Sequence, residues 1–347
     1  MYKNYFGLHQ SPFKITPDTR LFFPGANRGA VLQALVYAVT NGEGITKVVG
    51  EVGSGKTMLC RMLENSLPDG VEIVYLANPS LTPDNLLHAI GFEMNLDVEP
   101  DDPQLKVMHK IQDYLVEQHA NGRRVVMFVE EAQSMPIDTL EEMRLLSNLE
   151  TKEDKLLQIV LFGQPELDEN LSQQHIRQLK ERITYSFNLA PLEEYEVRDY
   201  INTRMRTSGY QGMDLFNQKA IKMIWKHSGG LLRRINIIAD KACLAAFADN
   251  DRLVIAKHVK VAIDDSDFSD MPGKEKNNTG LLAGLALLTL VLIAAGGWWI
   301  NTTKSSSDAE NSNVQSSQGR ILNQQAEKLL KSPSAWQNLD QEPTSYQ

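Results

Sequence analysis

Cysteine is nearly absent from the chain. Cys60 and Cys243 are the two present, far apart and each inside an apolar helical pattern. No disulfide framework is expected, and both read as buried thiols of a reducing compartment. The seven histidines are scattered, none at metal-ligand spacing from a cysteine, which argues against a structural zinc site. Positive charge is also short: 35 Lys and Arg stand against 44 Asp and Glu, a net charge of −9. Without a basic stripe, such a chain is a poor candidate for nucleic-acid binding. The opening Met1-Tyr2-Lys3-Asn4-Tyr5 has no apolar stretch, so no secretory leader is expected. Residues 301–347 are rich in Ser, Asn and Gln and poor in large apolar residues. They cannot support a core and read as a disordered tail, with one short amphipathic patch from Ile321 to Leu330.

What is there begins with length. A chain of 347 residues can bury a large core and form two domains. Within it, Gly50-Glu51-Val52-Gly53-Ser54-Gly55-Lys56-Thr57 matches G-x-x-x-x-G-K-[ST] at every fixed position. The glycines permit a curl that turns successive N–H groups inward as a phosphate cradle. Lys56 brings positive charge towards the β and γ phosphates, and Thr57 offers a hydroxyl to Mg²⁺. A β-prone run, Ile45 to Val49, precedes the loop, and helix formers from Met58 to Leu63 follow it. That context sets the dipole end of a helix at the bound anion. ATP with Mg²⁺ is the expected ligand, held by Gly50 to Met58.

A second motif supplies acid. Val125-Val126-Met127-Phe128-Val129 is a buried-strand pattern ending in Glu130 and Glu131. Glu130 is placed to orient Mg²⁺, directly or through water. Glu131 is placed to polarise the attacking water as general base.

The β-prone runs Lys47–Val49, Val71–Leu76, Val125–Val129, Leu157–Phe162 and Ile183–Leu189 alternate with helical stretches such as Leu81 to Phe92 and Leu105 to Gln118. Alternation of this kind predicts a parallel sheet covered by helices on both faces. From Glu193 the pattern turns to helices alone: Tyr195–Ser208, Asn217–His227, Leu231–Phe247 and Ala256–Ile263. Gly280 to Ile300 is uncharged, with a single threonine, and ends in Trp298-Trp299. About 20 such residues span a bilayer core, and the tryptophan pair suits the interface. The expected division is an N-terminal segment leading into the module (1–44), an α/β ATPase domain (45–192), a helical lid (193–265), a linker (266–279), a transmembrane helix (280–300) and an extracytoplasmic tail (301–347). Lys274 and Lys276 before the span, and the need for ATP, put the ATPase in the cytoplasm. Residues 1–279 are therefore expected in the cytoplasm and 301–347 outside it.

These motifs together resemble the AAA+ ATPases of the ExeA/GspA type. The resemblance rests on Phe6-Gly7-Leu8, Ser11-Pro12-Phe13 and Thr16-Pro17-Asp18, on Glu131-Ala132-Gln133, on Gly163-Gln164-Pro165-Glu166-Leu167, and on Ser228-Gly229-Gly230 with Arg233 and Ile235-Asn236. It covers about residues 1–265 and then the membrane span. In layout the chain is nearest to the members that serve the mannose-sensitive haemagglutinin (MSHA) pilus. The resemblance implies a P-loop NTPase of the AAA+ fold with a helical lid. It puts Gln164 at the sensor 1 position and Arg233 at sensor 2. It makes Arg182 a trans-acting arginine finger, with Arg177 the alternative, and so implies a ring-forming homo-oligomer. Partners would be assembly proteins of a type IV pilus or a type II secretion-like machine at the inner membrane. The location that the resemblance implies is a bacterial inner membrane, with the tail periplasmic.

The chain departs from the family pattern in places. Glu130 stands where the family usually has Asp, and Mg²⁺ demands tight octahedral geometry. Two outcomes follow from that extra methylene: slow hydrolysis, or a water-mediated contact that absorbs the change. Leu232 replaces a proline before the sensor 2 arginine. Residues 301–347 are too short and polar for the peptidoglycan-binding domain of the secretion relatives, so their cell-wall role is not carried over. The leading expectation is a membrane-anchored ATP hydrolase supporting envelope assembly. The alternative is an ATP-gated scaffold with little turnover.

Overall fold

In the computed structural model, residues 2–266 are described except Glu43, Ala77 and Asn78. The membrane-span and tail readings, 280–300 and 301–347, lie outside the described residues. Among the described residues no helix is long and apolar enough to cross a membrane.

The chain opens with a single turn, α1 (Tyr2–Tyr5), and reaches α2 (Arg28–Asn41) by way of a 3-10 turn at Thr19–Leu21. Then come β1 (Ile45–Gly50), α3 (Lys56–Ser66), β2 (Val71–Leu76), α4 (Pro83–Glu93), α5 (Gln104–Ala120) and β3 (Arg124–Val129). They are followed by α6 (Ile137–Leu146), β4 (Leu157–Gly163), α7 (Glu166–Leu171), α8 (Arg177–Glu181) and β5 (Ile183–Leu189). The helical part is α9 (Glu194–Thr207), α10 (Gln218–Ser228), α11 (Leu232–Ala248) and α12 (Ala256–Asp264).

The strands form one parallel sheet in the order β2-β3-β4-β1-β5. Each β-prone run of the sequence is a strand of this sheet. Its central strands are buried on both faces, which is why their sequences are continuous apolar runs rather than alternating ones. Val125, Met127 and Val129 pack into one layer with α4, α5 and α6, whereas Val126 and Phe128 pack into the other with α2 and α3. Leu157, Ile159 and Leu161 of β4 join the first layer, and Val160 and Phe162 the second. Phe128 and Phe162 meet edge to face at 6.1 Å. Burial of one such ring is worth about 2–3 kcal/mol.

The sequence reading omits α6, α7 and α8. The first is amphipathic but short, and the others are a turn or two each, below the length at which a helical period is distinguishable. Thr82 does cap α4 with Pro83 in its first turn, but through its carbonyl rather than its hydroxyl.

The helices α9 to α12 share a third core, and the first residues of the chain belong to it. Tyr2, Phe6, Leu8 and Phe13 pack with Val197, Ile201, Ile235 and Ala239. Residues 1–44 are thus divided: the beginning joins the helical core, and α2 joins the sheet. Gly230 explains how the helical part sits so close to the end of β5. Its φ is +75°, and a Cβ there would lie 2.3 Å from the carbonyl oxygen of Leu192. Its own carbonyl accepts a hydrogen bond from the Leu192 N–H at 2.9 Å.

Candidate nucleotide-binding site

Strand order places the chemistry. β4 runs between β1 and β3, with Val49 beside Gly163 and Val129 beside Leu161. The loops after these strands therefore emerge side by side at the carboxyl edge of the sheet, where α/β folds bind ligands. The loop after β1 brings Lys56, the loop after β3 brings Glu130 and Glu131, and the loop after β4 brings Gln164.

The loop from Gly50 to Thr57 wraps the start of α3. Lys56 is buried, and its Nζ donates to the carbonyls of Gly50 at 2.8 Å and Glu51 at 3.3 Å. Burial lowers the pKa of its ammonium, against the opposing fields of Glu131, Glu51, Glu130 and Glu166. Gly53 has φ +83°, and a Cβ there would lie 2.8 Å from the Cβ of Arg233. That glycine is needed twice, for its left-handed backbone and because the start of α11 rests on it. The Arg233 N–H donates to the Gly53 carbonyl at 3.1 Å. Leu232, the residue in place of proline, meets Gly55 through its side chain.

Thr57 and Glu130 are in direct contact, Oγ1 donating to Oε2 at 2.7 Å. The other oxygen of Glu130 accepts from the Tyr75 hydroxyl. Glu131 sits with φ +52° and ψ +38°, a conformation that costs a non-glycine residue about 1 kcal/mol. Its carboxylate accepts from Gln133 Nε2 at 2.6 Å and Gln164 Nε2 at 2.9 Å. Gln133 also accepts the Gln164 backbone N–H at 2.9 Å through its own Oε1. Partial burial opposes ionisation of Glu131, but these hydrogen bonds and the charge of Lys56 outweigh it, so its pKa is lowered. The carboxylate is held ionised and aimed by two amides.

A cavity of about 280 Å³ opens beside the loop, near the lower end of the range for small-ligand sites. Val52, Gly53, Lys56, Thr57, Met58, Glu131 and Arg233 line its phosphate end. Ile15, Thr16, Pro17, Phe22 and Phe23 line the other, an apolar slot of the right chemistry for a flat base. Arg204, on α9, is buried and ties that slot down. Its guanidinium donates to the carbonyls of Pro12 at 2.6 Å, Lys14 at 3.1 Å and Leu21 at 3.3 Å. Arg28 is buried behind the loop and donates to the carbonyls of Ser54 and Ala190, each at 3.1 Å.

The residues present fit a nucleoside triphosphate with Mg²⁺. The Gly53 cradle has no room for a side chain, Ser54 Oγ is buried without a protein partner, and Lys56 faces the same space. Thr57 and Glu130 would hold the cation.

The structure thus brings together all the loop residues, Glu130, Glu131, Gln164 and Arg233. Gly50, Glu51 and Ser54 of the loop do not line the cavity, nor do Glu130 and Gln164, which touch residues that do. Arg182 lies apart: it caps the end of α8 and reaches Ser147 Oγ at 3.5 Å. Arg177 is exposed and paired with Glu181 at 3.0 Å. Sequence reasoning missed Tyr75, Arg28, Arg204, the apolar slot and the bonds of Gln133. A signal existed for Arg204, because Val197, Tyr200, Ile201, Arg204 and Met205 form one buried helical face in which an arginine is out of place.

Comparison with known proteins agrees with this geometry. Residues 39–171 match the family model described as an AAA domain. The chain is 39% identical over 299 residues to the general secretion pathway protein A of Aeromonas hydrophila, covering 86% of this chain and 54% of that protein. It therefore spans about half the length of that relative. Among solved structures, the Cdc6p protein of Pyrobaculum aerophilum superposes with a TM-score of 0.57 at 16% identity, covering 73% of this chain and 69% of that one. The ORC2 protein of Aeropyrum pernix, in its ADPNP–ADP complexes, gives 0.54 at 15% identity over 74% and 71%. At such identities the likeness shows the fold alone: an α/β P-loop fold of the AAA+ kind, with a parallel sheet and flanking helices.

Proposed function

We propose that this chain is an ATPase of the ExeA/GspA type, similar in layout to the MSHA-pilus members, that binds ATP with Mg²⁺ and hydrolyses it within a homo-oligomer. The observation that carries the reading is the convergence of Lys56, the Thr57–Glu130 contact and the Glu131–Gln164 pair on one sheet edge. Glu131, held ionised, takes the proton of the attacking water. Gln164 and Gln133 fix the direction of that carboxylate. Lys56 and the loop amides take up phosphate charge, and Arg233 adds a cation from the helical part. Bound Mg²⁺ supplies further charge neutralisation on the phosphates.

Arg182 is outside its own cavity, as an arginine finger delivered to a neighbouring subunit requires. Transition-state charge would then be neutralised only in the assembled state. The wider reading is work for a type II secretion-like machine or an MSHA-like type IV pilus. The support is the 39% identity to a general secretion pathway protein. Anchoring at a bacterial inner membrane, with the ATPase cytoplasmic, rests on the composition of residues 280–300. The acidic balance of the chain weighs against nucleic acid as its partner.

The test is steady-state ATP hydrolysis by the detergent-solubilised full chain over a concentration series, beside Glu131→Gln and Arg182→Ala. The reading requires specific activity that rises with concentration, a Glu131→Gln variant at least about 100-fold slower, and an Arg182→Ala variant restored by mixing with Glu131→Gln protein. Activity independent of concentration, or a fully active Arg182→Ala protein, sinks the oligomeric part.

A second reading, an ATP-gated scaffold with little turnover, is favoured by one observation: Glu130 is fully engaged by Thr57 and Tyr75. If it holds, Glu130→Asp raises turnover well above that of the unaltered chain.

A further inference from the structure

Tyr75 is next to last in β2, the edge strand of the sheet, and pairs in register with Phe128 of β3. The side chain of Glu130 emerges just beyond that pair. Its Oε1 accepts the Tyr75 hydroxyl and its Oε2 accepts the Thr57 hydroxyl. The carboxylate thus bridges the edge strand and the first turn of α3. An aspartate is shorter by one carbon–carbon bond, about 1.5 Å, and cannot reach both. Glu130 and the tyrosine on the neighbouring strand therefore form a matched pair.

The proton inventory says what the pair does. A threonine hydroxyl has one proton and two lone pairs. With its proton given to Glu130, the oxygen of Thr57 has its lone pairs free for a cation. With Tyr75 on the other carboxylate oxygen, Glu130 cannot rotate away from Thr57 without breaking a charge-assisted bond. A phenol is neutral at ordinary pH, so Tyr75 remains a donor. Thr57 and Tyr75 thus both donate to Glu130, one to each carboxylate oxygen.

We propose that Tyr75 is the positioning residue for Glu130. It holds the long carboxylate on the Thr57 hydroxyl, so that Glu130 and Thr57 together would serve a divalent cation. The inference rests on the nucleotide reading above and deepens it.

Tyr75→Phe removes the hydroxyl and keeps the ring, so packing at the sheet edge is preserved. The experiment measures mant-ATP binding to the full chain by fluorescence, once with Mg²⁺ and once with EDTA. For Tyr75→Phe we expect affinity to fall about fivefold to tenfold with Mg²⁺ and to stay unchanged in EDTA. The free Mg²⁺ needed for half-maximal hydrolysis should rise by a similar factor. In a Glu130→Asp background, where the carboxylate no longer reaches the phenol, Tyr75→Phe should change neither quantity. Equal losses with and without Mg²⁺ would mean a merely structural tyrosine and would overturn the proposal. So would an unaffected Tyr75→Phe protein, or an undiminished effect in the Glu130→Asp background. If the unaltered chain binds no mant-ATP under either condition, the nucleotide reading falls, and this inference with it.

Discussion

The two ends of the nucleotide cavity are built in opposite ways. The phosphate end comes from one unbroken stretch, Gly50 to Met58, with acids and amides added by the loops after β3 and β4. The base end is assembled from parts far apart in the chain: the N-terminal segment around Ile15 to Phe23, and Arg204 on α9, which donates to Pro12, Lys14 and Leu21. The first end is built around a local loop, to which Glu131 and Arg233 are added from elsewhere in the chain. The other is non-local, and it exists only while the helical part and the N-terminal segment share a core. Damage at the first end should therefore cost ligand affinity with little change in stability. Damage at the second should cost stability first.

The sharpest way to break this contrast is Lys56→Ala. The lost ammonium bonds only to two loop carbonyls, so the fold should survive. ATP affinity should fall about 1000-fold, or ~4 kcal/mol, as read by calorimetry. A large drop in the unfolding midpoint would show that the phosphate end also holds the fold together.

Arg204→Ala tests the other end. It leaves three carbonyls buried without their charged donor, which should cost about 3 kcal/mol in urea unfolding. ATP affinity should fall as the slot loosens, but by less than for Lys56→Ala. Arg204→Lys should recover only part of the stability, because an ammonium cannot span the fork. Unchanged stability in Arg204→Ala would remove the distinction between the ends.

The same contrast explains what was legible in the sequence. The sheet was readable because each central strand is buried on both faces and so appears as an apolar run. The loop residues, Glu130 and Glu131 were readable because their chemistry depends on spacing along the chain. Arg233 was named through a family resemblance, not through spacing, and its contact with Gly53 was not foreseen. Tyr75 was not legible at all, because a hydrogen bond made across strands leaves neither a period nor a motif. Gln133 stood in the quoted Glu131-Ala132-Gln133 motif, but its bonds around the strained turn were not readable from it. Arg204 lay between these cases: an arginine on an apolar helical face was visible, but not what it held.

Gly53→Ala lies where the ends meet, since the missing Cβ is what lets α11 rest on the loop. A methyl group there meets both a positive φ and the Cβ of Arg233 at 2.8 Å. The expected cost is about 1–2 kcal/mol, divided between stability and ATP affinity, which unfolding and calorimetry on one variant can separate. A loss seen in affinity alone would mean that α11 moves aside freely. The contact would then be incidental.

The smallest effect is the most specific. Gln164 and Gln133 donate to Glu131, and with Lys56 they hold its pKa below the usual carboxylate range despite partial burial. The ionised form is the one that can accept a proton, so a lowered pKa keeps the base active to lower pH. Gln164→Leu removes one donor at similar volume and leaves the desolvation in place. The pKa of Glu131 must then rise, and the acid limb of kcat should move to higher pH. The maximal rate should fall as well, but a fall alone would follow from many kinds of damage. A limb displaced to higher pH, whatever its extent, follows only if Gln164 acts on the charge of Glu131. An unmoved limb would mean that Gln133 and Lys56 suffice to hold the base, and that Gln164 serves the phosphate side of the cavity instead.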